Sequence, residues 1–178
     1  GTLSGLTVGN PPGYESDYAL RVDAIELTVD VRSLGGGPLV VDEAVVDGAV
    51  LNAEQRGGSS NLTEILAHME QDDDAEAPES EGRIAIERFR LTNARVTLRS
   101  ELLAEEQSVE LPEVVVENVG TAGGGVSYGE ATEALLGPIF AAGRTAVQDR
   151  LEDAATDAVR EELEEAAEEE LEELLRQD

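Results

Sequence analysis

The chain has 178 residues, enough for one domain with an appendage, and carries 40 acidic residues against 12 basic ones, all arginine, for a formal charge of -28. That balance argues against nucleic acid as a partner and against direct docking on anionic lipid, because both are polyanions. It suits a salt-tolerant or halophilic source, where salt screens self-repulsion, and the absence of cysteine excludes disulfides, thiol catalysis and Cys-ligated zinc.

Leu3 to Val8 reads as a short strand and Gly9-Asn10-Pro11-Pro12-Gly13 as a turn. Leu20, Val22, Ile25, Leu27, Val29 and Val31 then alternate with a phase slip at Ala24, which predicts a bulge that bends the strand. Gly35-Gly36-Gly37-Pro38 is a turn; Leu39 to Val46 and Ala49 to Glu54 are further strand, punctuated by Asp47-Gly48. Asn61-Leu62-Thr63-Glu64 fits a helix start with Asn61 as cap and Glu64 completing a capping box, and Leu62, Ile65, Leu66 and Met69 make one apolar face. Residues 71–82 are acidic, contain Pro78 and read as a mobile loop. Ile84 to Leu91 and Arg95 to Leu103 read as a hairpin around Thr92-Asn93-Ala94, and Val109 to Val119 as one more strand, its Pro112 suited to an edge.

The segment from Val41 to Leu51 matches Ile86 to Val96 at an offset of 45 residues: apolar alternation, a slip, then a small residue leading onward. This reads as repeated meander units in one sheet, although any two hairpins with one buried face would share such a pattern.

From Ser127 the period becomes helical, with Ala131, Ala134, Leu135, Ile139 and Ala142 on one side and Pro138 set to end or kink the first segment. Beyond it, Val147, Leu151, Ala155, Val159, Leu163, Ala167, Leu171 and Leu174 form a narrow stripe among dense acids. Two readings stand: a helix-pairing seam, or a helix that lies on the sheet at its start and frays beyond about Glu161 through like-charge repulsion. The fold expected is α+β: a single strongly curved antiparallel sheet of meander repeats over 1–126, with a short helix near 61–70, then a C-terminal helical segment with an acidic tail over 127–178.

Little in the chain carries chemistry. His68 is the lone histidine, beside acids, and reads as a surface residue. Asp72-Asp73-Asp74 lacks the spaced ligands of a calcium loop, Gly123-Gly124-Gly125 has no Lys or Arg neighbour for a phosphate site, and Asn61-Leu62-Thr63 is a formal glycosylation sequon already explained as a cap. No nucleophile motif accompanies the serines. The expectation is a non-enzyme with no cofactor and no metal.

Two segments, Gly5 to Gly13 and Gly57-Gly58-Ser59-Ser60-Asn61-Leu62, together with the runs Leu20 to Leu34, Val45 to Ala49 and Ile84 to Leu98, resemble the N-terminal part of AsmA-like proteins of Gram-negative envelopes. The resemblance covers roughly Leu3 to Gly120. It implies a membrane helix upstream of a β-rich periplasmic body, hence a location in the periplasm anchored to the inner membrane. It also implies lipid binding or hand-over, or help in outer-membrane assembly, with a lipid or other apolar ligand and an envelope protein as partners. The opening Gly1-Thr2-Leu3, already strand-like, fits a native start further upstream. This chain is far too short for a bridge across the periplasm and ends in an acidic helix, so a small anchored relative fits better. The oligomeric state is left open. On a curved sheet the concave face would present Val22, Ile25, Leu27, Val29, Val46, Ile84, Ile86, Phe89, Leu91, Val96 and Leu98 to an acyl chain. The competing reading is a core covered by the protein's own helix from Tyr128 to Arg150, in a structural or interaction module with no ligand.

Overall fold

The computed structural model describes residues 1–72 and 82–176, so most of the expected acidic loop lies outside the described residues. The chain is α+β, with one large open sheet, a short helix and a long C-terminal helix. The strands are β1 (Thr2–Gly9), β2 (Tyr18–Val29), β3 (Leu39–Asp47), β4 (Val50–Arg56), β5 (Ser59–Ser60), β6 (Arg83–Thr92), β7 (Arg95–Ser100), β8 (Gln107–Glu110), β9 (Val114–Val119) and β10 (Val126–Ser127). Helix α1 is Asn61–Asp72 and α2 is Tyr128–Arg176. Two compact units are distinguished, Gly1–Val147 and the stretch from Gln148 on.

Registers show that several of these strands are pieces of longer ones. From Leu20 to Thr28, β2 faces β4 and then β3 in one antiparallel register, Leu20 opposite Leu51 and Ile25 opposite Val46. β6 and β7 lie beside them in parallel, Val41 against Ile86 and Leu51 against Val96. The repeat offset of 45 residues is therefore the register itself, and the two repeat units lie side by side. β9 and β8 complete the sheet, antiparallel to β6 and β7, and β1 runs antiparallel along the other side of β2.

Two expectations change here. β6 and β7 are collinear and form no hairpin at Thr92-Asn93-Ala94, and two pairings in the otherwise antiparallel sheet are parallel. The link from Arg56 to Arg83, which contains α1, is long enough to carry the chain back for a parallel partner.

The phase slip is also not a bulge. The β1–β2 register continues through it, Ser4 against Ala24 and Leu6 against Val22; the register shifts lie at Val8/Gly9 and Thr28/Val29. Instead, every long strand slips at the same level. Val46 and Ala49 are buried with Asp47 and Gly48 exposed between them, and Leu91 and Ala94 are buried on either side of half-buried Thr92 and exposed Asn93. Val22/Ile25, Leu111/Val114 and, at the edge, Leu3/Leu6 repeat the spacing. The result is a transverse crease. Gly5, Gly48 and Asn93 turn it with φ of 73°, 84° and 51°, a region costly for most side chains but open to Gly and Asn. Backbone bonds cross it: the Gly48 amide donates to Thr92 O (2.9 Å), the Arg95 amide to Ala49 O (3.0 Å) and the Leu111 amide to Ala94 O (2.8 Å). Pro112 sits in the gap between β8 and β9, where no ladder donor is needed.

α2 starts in a capping box that sequence reading missed. The Ser127 amide donates to Glu130 Oε2 (2.8 Å) and the Glu130 amide to Ser127 Oγ (3.2 Å). Hydrogen bonding from the Ser127 amide, then from its side chain, holds the Glu130 carboxyl below the usual carboxylate range. The helix buries Ala131, Ile139, Phe140, Gly143 and Val147 and continues through Pro138, so of the expected end or kink the end does not occur. It also runs on to Arg176 where fraying was expected, with Val159, Leu163, Leu171 and Leu174 exposed. Its Glu, Ala, Leu and Arg content is among the best for helix formation.

Candidate functional site

The crease divides the inner face of the sheet into two halves. On one side lie β4, β7 and α1. There Leu51, Leu62, Val96 and Leu98 are fully buried. α2 covers them through Gly143, where an added Cβ would stand 2.8 Å from Leu51 Cδ2 and 3.2 Å from Leu62 Cδ1. Phe140, one turn earlier, has no exposed surface. This half is a closed core.

A polar anchor secures its far end. Asn61, fully buried, accepts from the Glu54 amide (2.9 Å) and donates to Asn52 O and Asn10 Oδ1 (both 2.7 Å). It is a long-range clasp rather than a helix cap, and its burial leaves no room for a glycan. Glu54, 3% exposed, accepts from the amides of Glu15 (2.8 Å) and Ser16 (2.5 Å). Burial pushes the Glu54 carboxyl up, but the donations from Ser16 and Glu15 and the nearby Arg56 outweigh it and hold the group below its ordinary value. Glu64, expected in the capping box, instead accepts from Tyr14 Oη (2.6 Å); burial, then that bond, pushes the Tyr14 hydroxyl up to about 12. The two segments that carried the resemblance, around Asn10 and Asn61, thus meet at one corner.

On the other side of the crease lie β3, β6 and the end of β2. Here α2 stands over the sheet without filling the space. A cavity of about 390 Å³ remains, bounded below by Val41, Ala44, Val46, Phe89 and Leu91 and above by Leu135, Leu136 and Ile139. The volume falls within the ~300–1,000 Å³ typical of small-molecule sites. Among the described residues, polar side chains at the walls are confined to Tyr128 and Thr132 on α2. The cavity is open toward β1, where Leu3 and Leu6 line it and remain 57% and 41% exposed.

Of the sequence candidates, Val22, Ile25, Leu27, Val46, Ile84, Ile86, Phe89 and Leu91 line this cavity. Val96 and Leu98 belong to the closed core, because the crease puts them under the Gly143 end of α2. Val29, beyond the register shift at Thr28/Val29, is half-buried and does not reach the wall. Sequence reading missed Leu3, Leu6 and the helix residues Leu135, Leu136 and Ile139 as walls. The first two were visible as a continuation of the alternating pattern. Leu135 and Ile139 face the same space as Phe89 and Leu91.

The remaining candidates for chemistry are not gathered into a site. His68 is exposed, its Nδ1 2.7 Å from Glu64 O. Among the described residues no cluster of three or more His, Cys, Asp or Glu could hold a metal ion, and no helix is long and apolar enough to cross a membrane. The loop ahead of α2 is held by the Arg83 guanidinium, which donates to the carbonyls of Gly124 (2.5 Å) and Gly125 (2.9 Å). Gly125 has φ 60° and presses against Pro38 and the Ile84 carbonyl, so the glycines here serve close packing.

The chain matches no protein-family model, no curated protein and no solved structure.

Proposed function

We propose that this protein binds a lipid or another apolar chain in the cavity between β3, β6 and α2, and holds or hands it on without catalysis. The observation that carries the reading is the cavity itself: about 390 Å³, walled almost wholly by aliphatic side chains and open along β1. A cavity with such walls gives water too few polar partners and stays dry or takes up an apolar guest. Each methylene buried in it would gain about 0.8 kcal/mol. With the resemblance to AsmA-like proteins, the setting proposed is the periplasm, the full-length protein being anchored to the inner membrane and working in lipid handling or outer-membrane assembly. The high negative charge keeps the outer surface off anionic bilayers, so any exchange with a membrane would run through the uncharged β1 rim.

The second reading, a module with its sheet sealed by its own helix, is favoured by Phe140 and Gly143 but only for the closed half. One experiment separates them. Mass spectrometry of an organic extract of the purified protein should reveal co-purified lipid, and the delipidated protein should take up a fluorescent fatty acid. Empty extracts together with no uptake by the delipidated protein would sink the lipid reading.

A further inference from the structure

We propose that the outer edge of β1, which pairs only with β2 among the described residues, is an interface between two copies of this chain, joined by antiparallel pairing of β1 with its symmetry mate. The first reason is charge. From Gly1 to Tyr14 no side chain is charged, in a chain of formal charge -28. Two such chains repel each other over most of their surface, and here their backbones can approach without placing acids face to face.

The second reason is the contrast between the two edges of the sheet. The β8–β9 edge carries Glu110, Glu113, Glu117 and the break at Pro112, the usual devices against unwanted strand pairing. β1 is eight residues long, has no proline and no charge, and leaves Leu3 and Leu6 exposed. It lacks every one of those defences.

The third reason is geometric. Across each antiparallel pairing at the crease, the apolar residue before the slip in one strand faces the apolar residue after it in the next. Leu3 faces Ile25 and Leu6 faces Val22; Ile25 faces Val46. β1 can repeat this rule with its own copy, Leu3 of one chain opposite Leu6 of the other and Thr2 opposite Thr7. A strand whose pattern is complementary to itself under a two-fold axis is what an isologous dimer needs. The pairing would also cover Leu3 and Leu6 at the open side of each cavity, so each site would be completed by the second copy.

Sedimentation equilibrium in molar potassium chloride, where the Debye length is ~3 Å, should give twice the 18.8 kDa chain mass. Dilution into low salt should shift it toward the monomer. Thr7→Glu, at an exposed site, should weaken the dimer at least tenfold while leaving the melting temperature of the dilute low-salt monomer unchanged, whereas Ser108→Glu on the opposite edge should leave the dimer intact. The chain has no cysteine of its own, so the double variant Thr2→Cys with Thr7→Cys reports the register. Mild oxidation should link it between chains, and neither single variant should link. A monomer at every salt and protein concentration, or a dimer indifferent to Thr7→Glu, would overturn the proposal. The mass is read whether or not the cavity holds lipid, so the two readings fail separately.

Discussion

The two halves of the inner sheet face start from the same sequence pattern and end differently. In both, an aliphatic strand of one repeat lies parallel to its counterpart in the next. Past the crease, α1 and the Gly143 segment of α2 close over Leu51 and Val96. Before it, the same helix arches over Val41 and Phe89 and leaves a cavity. Gly143 lets the helix backbone come down onto one half, while over the other the larger Leu135 and Leu136 line the cavity. A protein can therefore keep a stable core and an unfilled apolar site on one sheet, since burial on the first side stabilises the scaffold for the second.

The largest expected effect tests whether the closed half holds the fold. Phe140→Ala should lower unfolding free energy by about 3–5 kcal/mol in a urea melt, as for a fully buried aromatic. A loss well under 1 kcal/mol would mean that the closed half is not closed. Asn61→Ala comes next, at about 2–3 kcal/mol, because it strands the buried Glu54 amide and Asn52 carbonyl. The same melt should show no comparable loss for Asn93→Gly, where the positive φ is retained at an exposed site.

Matched enlargements sharpen the comparison. Ala53 and Ala44 are both buried, the first among the closed strands and the second on the cavity wall. Ala53→Leu should cost about 1–3 kcal/mol through overpacking. Ala44→Leu should be neutral or stabilise by up to about 2 kcal/mol as a cavity filler, and should abolish fatty-acid uptake. Equal costs at the two positions would erase the distinction between the halves.

The smallest effect is a pH dependence. The Glu54 carboxyl is depressed in the folded state, so its stabilisation is fully present above the unfolded value of ~4.3 and is lost as pH falls through the folded value. The stability difference between the native protein and Glu54→Gln should therefore be constant near neutrality and shrink in acid. A difference that grows below pH ~4 would show the sign to be wrong. Taking the difference removes the general relief of charge repulsion that acid brings to so acidic a chain.

The α+β class, the long C-terminal helix and eight of the wall residues were legible because burial on one side writes a period into sequence. The 45-residue repeat was legible too, down to the number that sets the register. Its parallel geometry was not: a strand that slips and continues has the same local alternation as one that turns back at Thr92-Asn93-Ala94. Only the pairing partners distinguish the two, and those are long-range. Asn61 misled for a related reason. An Asn ahead of a helical run looks like a cap, and nothing nearby announces that Asn10, 51 residues away, will claim its amide. The Ser127–Glu130 box, by contrast, was a local signal that could have been read.

The register across the repeat carries a lesson about length. Each long strand consists of two half-strands whose apolar faces are out of phase by the crease. Deleting a single residue at Gly48 would restore plain alternation and turn every side chain of β4 to the wrong face, and insertion of one residue would shift the pairing with β7 as well. Between the two repeats, the described stretch from Gly57 to Asp72 sets no strand register beyond the short β4–β5 pairing at its start. A flexible loop, by contrast, lengthens at small entropic cost, about 0.6 kcal/mol per doubling. Sequence length in this protein is therefore rigidly fixed along the strands, where one residue more or less at Gly48 costs the frame of a whole half-sheet.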